Sequence, residues 1–93
     1  MNTQELHAAA EKLVKAAELR ATWAKEACNP LARSFYLQVE QQFRDRADQT
    51  RSWARTFGHY ERRGQAVPVE TVEQIENAVC EFLRMVGRGV DDA

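Results

Sequence analysis

The dipeptide Asn29-Pro30 interrupts a helical pattern that otherwise runs through the first 57 residues of this 93-residue chain. Proline cannot continue a helix but suits the first position of a new one, and asparagine is a favourable residue just before a helix begins. The chain is therefore predicted to turn here, so that a helix over about 3–28 folds back on a second helix over about 30–57. The sequence predicts a long antiparallel helical hairpin.

The remaining boundaries follow from residues that start or stop helices. Asn2 and Glu5 have the spacing of a capping box, which marks the start of the first helix. Gly58 is expected to supply a left-handed cap after the second helix. Pro68 is expected to open a third, shorter helix over about 69–86.

The last segment, 87–93, is predicted to be a fraying tail beyond the third helix. Three amphipathic helices with short connections imply a bundle. The fold class is therefore expected to be all-α, with 1–93 as a single helical domain.

Apolar residues recur at alternating steps of three and four in each predicted helix, which is the pattern of a buried helical face. The predicted face of the first helix is mostly small: His7, Ala10, Val14, Ala17, Ala21, Ala24 and Cys28. The face of the second is larger: Ala32, Phe35, Val39, Phe43, Ala47, Thr50, Ala54 and Phe57. The face of the third is formed by Val72, Ile75, Val79, Phe82 and Val86. Large side chains facing small ones favour close packing. The third helix is too short to cover the whole hairpin, so apolar surface near Asn29-Pro30 is expected to be exposed.

The sequence carries no signature of catalysis, of a cofactor or of a metal site. His7 and His59 are the only histidines, and neither lies in a zinc-binding or di-iron spacing on its helix. Cys28 and Cys80 are expected to be buried thiols that behave as small apolar side chains. We therefore expect a protein that is not an enzyme and needs no cofactor.

Hydropathy and charge limit the compartment in which the protein is expected and the kinds of partner it is expected to bind. No apolar run approaches the roughly 20 residues that span a bilayer, so no membrane association is expected. The N-terminal segment lacks the positive charge and apolar stretch of a signal peptide, which favours the cytoplasm. The net charge of −1 argues against a dedicated polybasic nucleic-acid binder.

Arginines cluster on the second helix and its continuation. Residues 33–63 hold seven arginines against four acids. At about 100° per residue, four of them project within about 40° of one another: Arg33, Arg44, Arg51 and Arg55. Arg62 and Arg63 extend the basic character. This pattern is typical of a solvated face with local ion pairs, but it also fits an anion-facing surface, because arginine grips carboxylates and phosphates in two-pronged fashion.

Three further residues are candidates for partner contact. Arg46 is expected to point into the apolar face of the second helix, where it snorkels to the surface, pairs with a carboxylate or forms a binding hot spot. Leu19 and Trp23 lie outside the alanine-rich face of the first helix. Either the third helix covers them, or they anchor a dimer or partner interface.

Two functions remain open. The favoured one is a small protein–protein interaction module, an adaptor or inhibitor that binds an unidentified partner protein and can self-associate as a homo-oligomer. The alternative is a nucleic-acid-associated regulator that uses the arginines of the second helix. The predicted layout lacks a helix-turn-helix, and the third helix is acidic, which disfavours the alternative.

Overall fold

A computed structural model describes the backbone of residues 1–91 and the side chains of residues 1–87. It contains three helices, α1 (Thr3–Glu26), α2 (Pro30–Arg62) and α3 (Val69–Asp91). No strand occurs in the backbone of these 91 residues. The prediction of an all-helical chain is confirmed.

The two predicted N-caps are present. The side-chain oxygen of Asn2 accepts a hydrogen bond from the backbone N–H of Glu5 at 2.9 Å. The side-chain oxygen of Asn29 accepts one from the N–H of Leu31 at 2.8 Å, and Pro30 occupies the first helical position. Each cap satisfies a backbone donor that a helix start leaves without a partner.

The predicted end of the second helix at Phe57 is wrong, because α2 continues through Gly58 to Arg62. The left-handed residue is Gly64, with φ of 67°. A glycine inside a helix costs about 1 kcal/mol, which does not end a helix whose flanking residues are packed. Phe57, immediately before Gly58, is buried.

The predicted tail is also wrong over most of its length. Helix α3 passes Gly87 and ends at Asp91, and residues 92–93 lie outside the described part of the chain. Glycine lowers helix propensity but keeps its backbone N–H, so it does not stop a helix as proline does.

The buried side chains form two adjacent clusters to which all three helices contribute. The first contains Leu6, Ala9, Ala54, Phe57, Ile75 and Val79. The second contains Leu13, Ala16, Ala17, Phe43 and Ala47, with Phe82, Met85 and Val86 packed against it. Residues early in α1 therefore contact residues late in α2 and early in α3. The Thr3 hydroxyl also donates to the Glu61 carboxylate at 2.9 Å.

The buried face of α1 is rotated from the predicted one. It consists of Leu6, Ala9, Ala10, Leu13, Ala16, Ala17, Arg20 and Ala24. His7 is exposed because the buried arc of α1 is shared between α2 and α3, so its centre lies between these neighbours. In α2 the predicted face is confirmed from Phe43 to Phe57, whereas Phe35 is 60% exposed.

The thiol prediction is wrong as well, since Cys28 and Cys80 are both exposed. Cys28 lies just beyond the last turn of α1, and Cys80 follows the buried Val79 on α3. One residue step rotates a side chain by about 100° round a helix, which carries Cys80 away from the core.

The molecule is elongated, with extents of 53 × 19 × 15 Å. The packed side chains of α3 reach the level of Ala16 and Ala17 and leave the parts of α1 and α2 nearest Asn29-Pro30 uncovered. We call this part, around Asn29-Pro30, the tip. Four large apolar side chains at or near the tip are exposed: Leu19, Leu31, Phe35 and Leu37.

Candidate interaction surfaces

The four predicted arginines lie on one side of α2, and we call the surface they form with Leu37 the arginine flank. Arg33, Arg51 and Arg55 are exposed, and Arg44 is half-buried. Helix α3 contacts α2 on the opposite side, where the ring of Trp53 stacks on Phe82 with centroids 6.1 Å apart. At about 100° per residue the flank lies roughly 160° round α2 from this contact, so α3 does not cover it.

Acidic residues partly neutralise the arginine flank. The Arg44 guanidinium donates to the Glu40 carboxylate at 2.9 Å and 2.8 Å. Arg51 lies 3.9 Å from Asp48, which is a loose contact at an exposed site. Such i,i+3 and i,i+4 surface pairs stabilise a helix by only about 0.3–0.5 kcal/mol.

The other two arginines of the flank make no ion pair among the described side chains. Arg33 donates to the backbone carbonyl of Ala27 at 3.1 Å and so ties the start of α2 to the end of α1. Arg55 is exposed near the far end of the flank. The flank therefore keeps cationic groups available to an anion.

A groove between α1 and α2 borders the arginine flank. It encloses about 570 Å³ and is lined by Ala21, Ala24, Lys25, Arg33, Leu37 and Glu40. Leu37 is 49% exposed beside this groove. The small alanines leave room, so the flank combines an apolar depression with charged residues at its edge.

The tip carries a chain of aromatic contacts. Trp23 and Tyr36 meet edge to face with centroids 5.6 Å apart, and Phe35 and Tyr36 meet at 5.8 Å. Trp23 is half-buried, and Leu19 is 39% exposed. An open depression of about 690 Å³ adjoins these rings. Leu31 and Phe35, which the sequence did not single out, are more exposed than Leu19 or Trp23.

Arg20 is the least expected feature of the structure. Its side chain is only 3% exposed, and its guanidinium lies 4.6 Å from the ring centroid of Trp23 and 5.2 Å from that of Phe43. The Nη1 atom has no hydrogen-bond partner among the described atoms. Burial lowers the pKa of this guanidinium from its ordinary value, because removing the cation from water favours the neutral form.

The spacing of apolar residues in α1 indicated that position 20 lies on the buried face. The steps from Leu6 through Leu13 and Ala17 to Ala24 are those of one helical face, and position 20 falls within it. The predicted face of α1 is shifted by one residue from the observed one, so it contains Ala21 in place of Arg20.

Arg46 points into the apolar side of α2, as predicted. Its guanidinium lies 5.6 Å from the ring centroid of Phe82 on α3, and its Nη1 is buried without a hydrogen-bond partner. The cation therefore contacts an aromatic face and makes no ion pair among the described side chains. Arg62 is exposed at the last position of α2.

No group of three or more His, Cys, Asp or Glu side chains within residues 1–87 is arranged to hold a metal ion. None of the three helices, over their described length, is both long and apolar enough to cross a membrane. Comparisons with protein-family models, with curated proteins and with solved structures find no significant match for the chain.

Proposed function

We propose that this chain is a protein–protein interaction module, an adaptor or inhibitor, that binds an acidic surface of a partner protein through its arginine flank. The proposed architecture is an antiparallel hairpin of α1 and α2, completed to a three-helix bundle by α3. In this arrangement α3 stabilises one end of the hairpin and leaves the flank accessible along its length. We further propose that the protein acts by binding alone, without catalysis.

The observation that carries the proposal is the combination of charge and apolar surface on the flank. Arg33 and Glu40 border a groove that contains the half-exposed Leu37. Protein interfaces join an apolar centre to a polar rim in which arginine is enriched. Leu37 is the expected centre and the arginines the expected rim.

The alternative is a nucleic-acid-associated regulator. The stripe from Arg33 to Arg55 spans roughly 33 Å at 1.5 Å per residue, comparable to one turn of duplex DNA. Glu40 and Asp48 lie within the same stripe, where they would repel a phosphate backbone. Both acids, and the groove around Leu37, favour a protein partner.

Charge reversal of Arg44, Arg51 and Arg55 to Glu in one variant tests the proposal. We expect the triple variant to lose capture of a nuclease-resistant protein partner from the cells that express this chain. Its melting temperature should fall only modestly, since Arg51 and Arg55 are exposed and the Arg44–Glu40 pair is the one partly buried ion pair that the variant removes. The readout is a paired pull-down of wild type and variant, with and without nuclease.

A variant that changes the net charge equally at other surfaces provides the control. Lys12, Lys15 and Arg84 are exposed on α1 and α3, and their replacement by Glu should leave capture intact. An equal loss of partner capture in both variants would show that net charge alone causes the loss. Loss of binding on nuclease treatment, with affinity falling steeply as salt rises, would favour the nucleic-acid alternative, because each neutralised phosphate releases counterions.

A further inference from the structure

The groove beside Leu37 restricts the kind of protein segment that can dock on the arginine flank. Its apolar walls are aliphatic, since Ala24 is buried, Ala21 is half-buried and Leu37 is 49% exposed. A proline-rich segment docks between aromatic side chains, and no residue lining this groove is aromatic. An extended segment adds to the edge of a sheet, and the backbone of residues 1–91 contains no strand. An amphipathic helix docks in an aliphatic groove and satisfies its own backbone hydrogen bonds.

The packing of α3 shows that α1 and α2 accept a helix on their other side. There Phe82 and Val86 pack against the cluster that contains Ala16 and Ala17 of α1. The groove beside Leu37 has the same composition, with alanines from α1 and a larger side chain from α2. Small side chains on one wall leave room for the side chains of an approaching helix.

The spacing of the arginines matches the repeat of a second helix laid beside α2. Successive members of the flank are 11, 7 and 4 residues apart: Arg33, Arg44, Arg51 and Arg55. A helix running along α2 advances by the same ~1.5 Å per residue, so its residues at these spacings lie level with the arginines. Each of these steps turns a helix by a net angle of about 40° or less. Carboxylates at these positions therefore fall on one face of the partner helix.

We propose that the docking element of the partner protein is an acidic amphipathic α-helix that lies along α2. This inference rests on the proposed function and specifies the partner's structure. One large apolar side chain of the helix fills the groove beside Leu37, and carboxylates on the same face bind the arginines.

The arginines have donors available for such a helix. Arg33 and Arg55 make no ion pair among the described side chains, and Arg51 has only the loose contact with Asp48 at 3.9 Å. Arg44 uses Nε and Nη2 for Glu40, which leaves the N–H groups of Nη1 for the partner. Hydrogen bonds between guanidinium and carboxylate are charge-assisted and directional, so they fix the register of the docked helix.

Two acids on the flank restrict the sequence of the partner helix further. Glu40 lies between Leu37 and Arg44, and Asp48 lies between Arg44 and Arg51. A carboxylate of the partner opposite either acid would be repelled, so those positions of the partner are neutral or cationic. The arrangement of the partner's acids, and not their number alone, therefore determines its affinity.

Synthetic helical peptides test this inference on the full chain. The matched peptide is a helix of about 27 residues based on alanine and glutamine, with Glu at the spacing of the arginines and Leu one turn after the first Glu. A second matched peptide has the reverse order, for a helix that runs along α2 in the other direction. The permuted peptide has the same composition, with its Glu residues distributed round the helix. Circular dichroism checks that the three peptides are equally helical.

Fluorescence anisotropy of the labelled peptides, titrated with the full chain, gives the dissociation constants. One matched peptide should bind at least about tenfold more tightly than the permuted peptide. Leu37→Ser should weaken that binding, because it removes the largest apolar side chain of the groove. Leu31→Ser, which changes an exposed leucine outside the flank, should leave it unchanged.

A charge swap tests the pairing directly. Lys in place of the three Glu residues that face Arg44, Arg51 and Arg55 should make the matched peptide prefer the triple charge-reversal variant to wild type. Equal affinity of matched and permuted peptides, or no binding of either matched peptide, would overturn the helix as the docking element. Failure of the proposed function is a different result, in which the charge-reversal variant retains capture of its protein partner in the pull-down.

Discussion

At the scale of single residues, two opposing effects decide how Arg20 changes the free energy of unfolding: desolvation of its cation and contact of that cation with two aromatic rings. Its guanidinium is desolvated without a carboxylate, and the effective cost of burying an ion is several kcal/mol. Its contacts with the rings of Trp23 and Phe43 return about 2 kcal/mol each at such a desolvated site, which offsets most but not all of that cost. The desolvation cost is the larger of the two.

We therefore expect Arg20→Met to raise the free energy of unfolding by about 1 kcal/mol, because an apolar side chain of similar length fills the site without a charge. Urea denaturation measures the change. Arg55→Met, at an exposed site, serves as the control and should stay within about 0.5 kcal/mol of wild type. A loss of more than about 2 kcal/mol in Arg20→Met would show that the two rings hold the cation more strongly than argued.

At the scale of helices, two glycines near the junction between α2 and α3, Gly58 and Gly64, have different backbone conformations. Gly58 is helical, and a Cβ built on it would meet only Arg62 Nη1, at 3.8 Å. Gly64 has a φ of 67°, in the region that only glycine adopts without strain, although the space around it is open.

Alanine at the two positions should consequently have effects of opposite sign. Gly58→Ala should stabilise the protein by about 0.5–1 kcal/mol through higher helix propensity. Gly64→Ala should destabilise it by about 1 kcal/mol through backbone strain. Thermal melts of the two variants provide the measurement. Stabilisation by both would contradict the left-handed conformation at Gly64.

The attachment of α3 to α1 involves one polar contact among the described residues. The Met1 amine donates to the Glu76 carboxylate at 3.1 Å. This hydrogen bond raises the pKa of the amine above its ordinary 8.0, with coulombic attraction to Glu76 and Glu5 adding to the effect and desolvation opposing it.

A raised pKa in the folded chain fixes the sign of the pH dependence. The stabilisation is complete below pH 8.0 and is lost as the pH rises through the raised value. Melting temperature should therefore fall slightly at alkaline pH, and Glu76→Gln should remove this slope. Glu73→Gln, also exposed on α3, should retain it. The same dependence of melting temperature on pH in both variants would show that other groups cause it.

Local signals in the sequence predicted the helix starts better than the ends or the buried faces. Asn2 and Asn29 act through hydrogen bonds to residues two or three positions away, so their roles can be read locally. The extension of α2 past Gly58 and the rotation of the α1 face depend on distant residues that pack against them. For the candidate site, the common face of the arginines was predictable. The groove at Leu37 and the exposure of Phe35 were not, because both depend on how α1 and α2 pack against each other near the tip.

At the scale of the whole molecule, stability is unevenly distributed along the two packed helices α1 and α2. All the buried residues of α2 lie between Phe43 and Phe57. Regions with few buried contacts open at lower free energy than the core. The tip should therefore open locally without unfolding of the end covered by α3.

Native-state hydrogen exchange tests this difference. Amides in the first three turns of α2 that lie inside the helix, such as those of Tyr36 and Val39, should show protection at least about tenfold lower than those of Ala47 and Ala54. Uniform protection along α2 would show instead that the hairpin opens as one cooperative unit.

The difference between the tip and the end covered by α3 can also be followed by tryptophan fluorescence. The chain has two tryptophans, and the structure places one in each part: Trp23 at the tip, against Tyr36, and Trp53 beside α3, stacked on Phe82. Replacing either one by Phe leaves a single tryptophan whose emission reports on its own end of the molecule. Events at the tip and at the covered end can thus be followed separately in the two variants without any added label.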